Sequence, residues 1–211
     1  MGKFTTEVNK KIRDNRGKRN ASLAYETWYS RTFANNRNNT VYRIGVTDIF
    51  QLGKMYKFDY HPITPIEKLK WYDRSPLILS LGREWYNGSI LETGINLHML
   101  PFNTRIFLLD KITSAYNLLI ESQSNGLHSN NAYKQIPLNF NWNSIGYLVN
   151  KLKLGYSYRK YKVTAKRNSA VISYENWDRM AIIDRDQFTN SSRIKVSRDY
   201  HKYIQKKNKQ K

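Results

Sequence analysis

The feature that most constrains the fold is the strict alternation of side chains over residues 55–61. The aromatic residues Tyr56, Phe58 and Tyr60 stand at every second position and therefore share one face. A two-residue period is typical of a strand with one buried face. Pro62 ends the segment, because proline cannot donate to the hydrogen-bond ladder. The chain must therefore build a sheet around this strand.

Partner strands are predicted further along the chain. Pro76 begins the aliphatic run PLILSL, which is typical of a buried strand that starts at a proline. Residues 89–100 read as a third strand, and Gly94 within it indicates a bulge or a close approach of another backbone. Three strands joined by modest loops favour a small antiparallel barrel.

Helices and a hairpin complete the predicted fold. Apolar residues recur every three or four positions over residues 101–122, which predicts a helix packed on the sheet. Shorter helices are predicted at 22–36 and 143–152, and a hairpin at 160–174. We therefore predict the α+β class: a small SH3-like antiparallel β-barrel with an inserted helix and basic terminal extensions. The predicted units are a basic N-terminal arm and helix (1–43), one barrel domain (44–192) and a basic C-terminal tail (193–211).

The charge of the chain points to its partner. The 36 Lys and Arg residues outnumber the 16 Asp and Glu residues, which gives a formal net charge of +20. So large a positive charge disfavours a compact monomer and indicates a polyanion or an acidic protein surface. Nucleic acid is the leading candidate, and the acidic surface of a protein assembly is the alternative.

Two basic segments are the candidate partner-binding sites. Residues 151–174 contain no Asp or Glu, and tyrosines stand between their cations, as suits phosphate contact and base stacking. The predicted binding residues here are Arg159, Lys160, Lys162, Lys166 and Arg167. Those of the N-terminal arm are Lys10, Lys11, Arg13 and Arg16.

Other kinds of chemistry find little support in the sequence. The chain has no Cys and its four His lack metal-ligand spacing, so no metal and no cofactor is predicted. The carboxylates are scattered, and no phosphate-binding loop or catalytic triad pattern is present, so no enzyme is predicted. We expect Asp73 to accept backbone N–H groups in a turn, and His98 to be a buried structural histidine. No apolar run approaches the ~20 residues that span a bilayer, so no membrane partner is expected.

The region from Tyr56 to Arg105 resembles a family of small virion proteins of tailed bacteriophages, which includes DNA end protectors of T-even-like phages. The family pattern is a Tyr-x-Phe-x-Tyr strand, a Tyr-Asp-x-x-Pro-Leu segment and a Gly-x-Asn-x-His segment followed by Leu-Pro and an Arg. The matching positions are Tyr56, Phe58, Tyr60, Tyr72, Asp73, Pro76, Gly94, Asn96, His98, Pro101 and Arg105. His61 stands where the family has Asp, and Met99 where it has Tyr.

The resemblance implies a non-enzymatic structural protein of the virion, located where genome, head and tail meet. In this interpretation the protein binds and protects the end of the packaged double-stranded DNA beside other virion proteins. The alternative is a tail or baseplate subunit that binds protein neighbours alone. In both cases we expect residues 1–21 and 193–211 to gain order on assembly.

Overall fold

The computed structural model describes residues 2–35, 41–45, 48–62, 72–123, 142–184, 188 and 191–209. The helices are α1 Lys3–Asp14, α2 Lys18–Asn35, α3 Phe102–Gln123, α4 Trp142–Lys151, α5 Trp177–Ile182 and α6 Arg193–Lys209. The strands are β1 Val41–Arg43, β2 Met55–Tyr60, β3 Leu77–Tyr86, β4 Ser89–Asn96, β5 Tyr158–Lys162 and β6 Lys166–Ile172. The strand predicted at 55–61 and the helix predicted at 101–122 are thus confirmed within a residue or two.

The strands form one antiparallel sheet in the order β1-β6-β2-β3-β4-β5. The sheet is strongly curled, because β5 and β6 are joined by the 3₁₀ turn Val163–Ala165 alone and yet lie four places apart in this order. Neighbouring strands lie about 4.8 Å apart, so a flat sheet would hold β4 and β6 about 14 Å apart. Instead, Glu92 of β4 and Lys166 of β6 form an ion pair across the concave side, with Oε1 and Nζ 3.2 Å apart.

The predicted α+β class is confirmed, but the SH3-like barrel is not. In the described part of the chain, β1 and β5 remain as two edges of an open sheet. The hairpin predicted at 160–174 is wrong, because β5 pairs with β4 whereas β6 pairs with β2 and β1. The segment does contain two strands, but alternation misplaced the boundary between them: Val163 and Ala165 lie in the turn, and residues 166–169, which resemble a turn, begin β6. Alternation also carries no information about which strand is the partner.

The core lies on both faces of the sheet. The larger apolar cluster joins the convex face, through residues such as Leu79 and Ile95, to α3, through residues such as Leu109. The smaller cluster fills the concave side and contains Tyr56 and Phe58, which share a face as their alternation predicted. Their rings contact others there: Phe50 stacks on Tyr56 at 3.9 Å, and Phe58 meets Tyr161 edge-on at 5.1 Å.

Both terminal segments are helices packed on this core, in contrast to the expected extensions that order on assembly. Val8 of α1, Ala21 of α2 and Val196 of α6 are fully buried. The backbone N–H of Thr5 donates to Asp110 of α3 at 3.0 Å and fixes the start of α1. The division into units 1–43, 44–192 and 193–211 stays a prediction. Among the described helices, none is long and apolar enough to cross a membrane.

Candidate nucleic-acid interface

The outer face of α6 carries a row of four cations. Lys195, Arg198, Lys202 and Lys206 follow one another at intervals of three or four residues, so they lie on one side of the helix, and all four are exposed. With a rise of about 1.5 Å per residue, the row is about 16 Å long. None of the ion pairs found between described residues involves these four side chains. We call this row the α6 cationic face.

The opposite side of α6 fixes this face in place. Val196 is buried in the main core, and Tyr200 packs on Tyr156 with ring centroids 5.8 Å apart. Arg193, at the start of the helix, donates from Nε to the carbonyl oxygen of His98 at 2.5 Å and pairs with Asp184 at 2.8 Å. The α6 cationic face is therefore held on a packed helix. This face is absent from the sequence-based predictions, although the three- and four-residue spacing of its cations is visible in the sequence.

The predicted cations of the N-terminal segment separate into two kinds. Lys10 and Arg13 are exposed on α1, and Arg16 is exposed in the turn before α2, where its φ is 56°. Lys11 differs, because its Nζ lies 2.5 Å from the Asp178 carboxylate and joins α1 to α5. Lys10, Arg13 and Arg16 thus remain candidates for phosphate contact, whereas Lys11 has a structural partner.

The predicted cations of β5 and its connection to β6 are also unequal. Lys162 is half-buried and Arg167 is exposed, and both remain candidates. Lys160 is exposed but lies 2.5 Å from the Glu84 carboxylate, whose hydrogen bond raises the pKa of Lys160. Arg159 is half-buried, its Nε is 3.2 Å from the sulfur of Met99, and burial lowers its pKa.

The prediction that Lys166 binds a partner is contradicted by its burial. Its side chain is fully buried, and its Nζ lies 3.2 Å from Glu92, 3.0 Å from the carbonyl oxygen of Asp48 and 3.7 Å from the centre of the Phe50 ring. Burial lowers the pKa of Lys166, while the charge of Glu92 opposes that shift. A phosphate outside the protein cannot reach this ammonium, which instead neutralises a buried carboxylate.

The residues of the phage-family pattern form a buried polar network around Asp73. Its carboxylate accepts from the backbone N–H of Ser75 at 3.0 Å and from Nδ2 of Asn96 at 3.0 Å, and contacts Nδ1 of His98 at 3.2 Å. Asn96 also donates to the hydroxyl of Tyr161 at 3.1 Å. The network links the turn before β3 to the end of β4 and to β5, so it holds these segments of the fold together. The predicted turn role of Asp73 is confirmed.

The two ionisable groups of this network titrate at unusual pH. Burial disfavours the charge of Asp73, but hydrogen bonds from His98 and Asn96 and the charge of Lys57 lower its pKa to about 2. For His98, burial disfavours the protonated imidazolium and lowers the pKa to about 4, although Asp73 opposes that shift. At neutral pH the pair is therefore a charged carboxylate that accepts a hydrogen bond from the Nδ1–H of a neutral imidazole. His98 is a buried structural histidine, as predicted.

Other pattern residues also have structural contacts. Arg105 is fully buried and donates from Nη1 to the carbonyl oxygens of Ala181 and Ile183, at 3.0 and 2.8 Å, which ties α3 to α5. At Gly94 another strand comes close, as predicted, because a Cβ there would lie 2.6 Å from the backbone oxygen of Leu79 in β3. The remaining pattern positions are Tyr60 and Tyr72, whose rings meet at 6.2 Å, the buried Pro76, and Pro101, whose carbonyl oxygen accepts from the Arg105 N–H.

No group of three or more potential metal ligands occurs among the residues that the structure describes. The features that stand out are the α6 cationic face and the exposed cations of α1. Fold and charge together define the class: an α+β protein with a net charge of +20 that displays cations along packed terminal helices.

Comparison with known families identifies the family within that class. A family model described as Phage T4 terminal DNA protecting protein matches residues 1–203, and the chain belongs to this family. The match confirms the phage resemblance seen between Tyr56 and Arg105. Neither a curated protein nor a solved structure matches the chain.

Proposed function

We propose that this protein is a non-enzymatic virion component that binds the end of the packaged double-stranded DNA and shields it from exonucleases. The observation that carries the proposal is the α6 cationic face, with four exposed cations that lack carboxylate partners among the described residues. The family description, terminal DNA protecting protein, supplies the DNA terminus as the target.

The proposed binding is electrostatic and independent of base sequence. Lysine and arginine that contact phosphates displace condensed counterions, which makes the affinity fall steeply with salt. Such contacts position a protein on DNA without reading its bases. Additional contacts would come from Lys10 and Arg13 of α1, Arg16 of the turn after it, and Lys162 and Arg167 of the sheet, wherever the duplex passes them.

Protection would then be steric. An exonuclease must engage the last nucleotides of a duplex, and a protein bound there occupies the same phosphates. The proposed place of action is the junction of head and tail, where an end of the packaged genome would meet other virion proteins. This location follows from the proposed role at the terminus.

The test is a digestion experiment with the purified full-length protein. A blunt-ended duplex labelled at both termini is incubated with the protein and then with a processive exonuclease, at low salt and again at high salt. We expect protection at low salt that is lost as salt rises. A nicking endonuclease at an internal site serves as the control, because a protein that acts at ends leaves its rate unchanged.

The opposite result would favour the second candidate, a tail or baseplate subunit. In that case the protein binds DNA weakly and leaves digestion unchanged, and its cations meet acidic protein neighbours. Release of mononucleotides by the protein alone, in the presence of Mg²⁺, would refute the non-enzymatic part of the proposal.

A further inference from the structure

The β3–β4 hairpin extends beyond the rest of the described sheet. The pairing of β3 with β4 runs to Tyr86 opposite Ser89, whereas the pairing of β5 with β4 stops at Lys162 opposite Leu91. On its other side, β3 pairs with β2 only near its beginning, over residues 77–79. The end of the hairpin, residues 83–90, is therefore a two-stranded projection, which we call the hairpin tip.

The turn makes this tip a defined structure. Asn87 and Gly88 form a two-residue connection with φ values of 46° and 71°, so both residues are in the left-handed region. This conformation is typical of the type I′ turn, whose twist matches that of the flanking strands. Asparagine followed by glycine is the sequence that this turn favours. The tip thus holds its side chains in fixed positions.

Two large aromatic side chains stand on this tip without cover from the described protein. Trp85 is 71% exposed and Tyr86 is 59% exposed. They are neighbours in a strand, so Trp85 shares a face with Arg83, and Tyr86 shares the other face with Glu84. Exposed aromatics of this size at a fixed position are typical of a contact site, since tryptophan and tyrosine are enriched in interfaces.

Charge favours DNA as the occupant of the Trp85 face. Arg83 is exposed beside Trp85 and takes part in none of the ion pairs between described residues. The acidic residue of the tip, Glu84, lies on the other face and is neutralised by Lys160 at 2.5 Å. A flat ring beside an unpaired guanidinium is the combination that stacks on a base and contacts its phosphate.

A terminal base pair has one property that an internal pair lacks: one of its flat faces is not stacked on another pair. We infer that Trp85 stacks on this free face of the terminal base pair, while Arg83 contacts the adjacent phosphate. The inference rests on the proposed function, because it supplies the means by which an end is distinguished from internal duplex. Stacking on an aromatic side chain contributes about 1–3 kcal/mol per base, which corresponds to about 5- to 150-fold in affinity.

The experiment compares two duplexes of the same sequence and length, one with open blunt ends and one with both ends closed by covalent loops. Binding of the full-length protein is measured at one fixed salt concentration. We expect the unaltered protein to prefer the open duplex about 5- to 150-fold. Trp85→Ala should lose this preference and keep its affinity for the closed duplex. Trp85→Phe, which retains a ring, should restore much of it.

A matched control is Tyr147→Ala, which removes an aromatic side chain of similar exposure, 68%, from α4. This variant should keep the preference for open ends. A fluorescent adenine analogue at the last position of the duplex gives a direct readout, because stacking on Trp85 quenches it and Trp85→Ala abolishes the quenching.

Three results would overturn the inference. If Trp85→Ala retains the preference, the end is recognised elsewhere on the protein, and the proposed function stands. If the unaltered protein shows no preference, the proposed function and the inference fail together. If Trp85→Ala binds and protects ends normally but no longer enters phage particles, the hairpin tip contacts a protein partner.

Discussion

Removal of the α6 cationic face should reduce the salt dependence of DNA binding by a calculable amount. The variant replaces Lys195, Arg198, Lys202 and Lys206 together with glutamine. Each phosphate contact contributes about 0.9 to the slope of log affinity against log salt. Four lost contacts would therefore make the slope shallower by about 3.6. If the four contacts add nothing to the affinity at about 1 M salt, the same relation gives an affinity loss of about a thousandfold at about 0.15 M salt. This value is an upper limit.

The structure predicts that this variant folds normally. The four side chains are exposed and form none of the ion pairs found between described residues, so glutamine leaves no buried carboxylate unpaired. Glutamine is also a good helix former, with a propensity close to that of lysine and arginine. Fluorescence anisotropy of a labelled blunt duplex over a salt series measures the slope, and thermal unfolding checks the fold.

The matched control removes four exposed cations from other elements, so that both variants lower the net charge of +20 by the same four units. The control residues are Arg31, Arg74, Lys111 and Lys151. We expect the control to alter the slope by less than the ~0.9 that one phosphate contact contributes. If both variants lower it equally, the net charge acts without a specific surface. If neither changes it, α6 does not contact DNA, and the interface that we assign is wrong.

Three further predictions concern the fold. Lys166→Met leaves the buried carboxylate of Glu92 unpaired and should lower the free energy of unfolding by about 3–5 kcal/mol in urea titrations; a value near zero would contradict the buried pair. Since the pKa of His98 is lowered to about 4 in the fold, the unfolded chain binds this proton first as the pH falls. The free energy of unfolding should therefore decrease by about 1.4 kcal/mol per pH unit from about pH 6.5 to about pH 4. A free energy of unfolding that stays constant over this range would contradict the lowered pKa of His98. Gly94→Ala places a Cβ 2.6 Å from a backbone oxygen of β3 and should lower the free energy of unfolding by about 1–3 kcal/mol. Gly146→Ala, with open space around it inside α4, should instead raise it by up to about 1 kcal/mol, because alanine is the better helix former.

Sequence periodicity predicted the elements of this fold well because periodicity is a local property. The alternation of Tyr56, Phe58 and Tyr60 identified β2 and its buried face, and the apolar stripe after Pro101 identified α3. The partners of β5 and β6 could not be predicted in the same way. Their pairing depends on how the whole sheet curls, and residues 160–174 alone contain two good strands separated by a turn-like segment.

The candidate interface shows the same division. The sequence gives the position of every cation, but it does not show which carboxylate lies near each one in the fold. Lys166 was predicted to face a partner, yet strand parity and the curl of the sheet place it beside Glu92 inside the protein. The α6 cationic face, by contrast, depends only on helical spacing and can be predicted from the sequence. The sequence analysis instead treats residues 193–211 as a basic tail that gains order on assembly, so the helical spacing of these four residues is not used there.

Carboxylate placement, more than the number of cations, determines where the positive charge acts. Asp184 lies within ion-pair distance of three cations, with its oxygens 2.9 Å from Lys18, 3.3 Å from Arg105 and 2.8 Å from Arg193. These neighbours outweigh burial and hold the pKa of Asp184 below its usual range, so the carboxylate stays charged where α2, α3 and α6 meet. A carboxylate used in this way joins helices. The acidic residue of α6 itself, Asp199, is half-buried and takes part in none of the ion pairs found between described residues. The contacts of Asp184 and Arg193 thus dock α6 by its inner side, and the cations of its outer side stay exposed, as the proposed contact with a phosphate backbone requires.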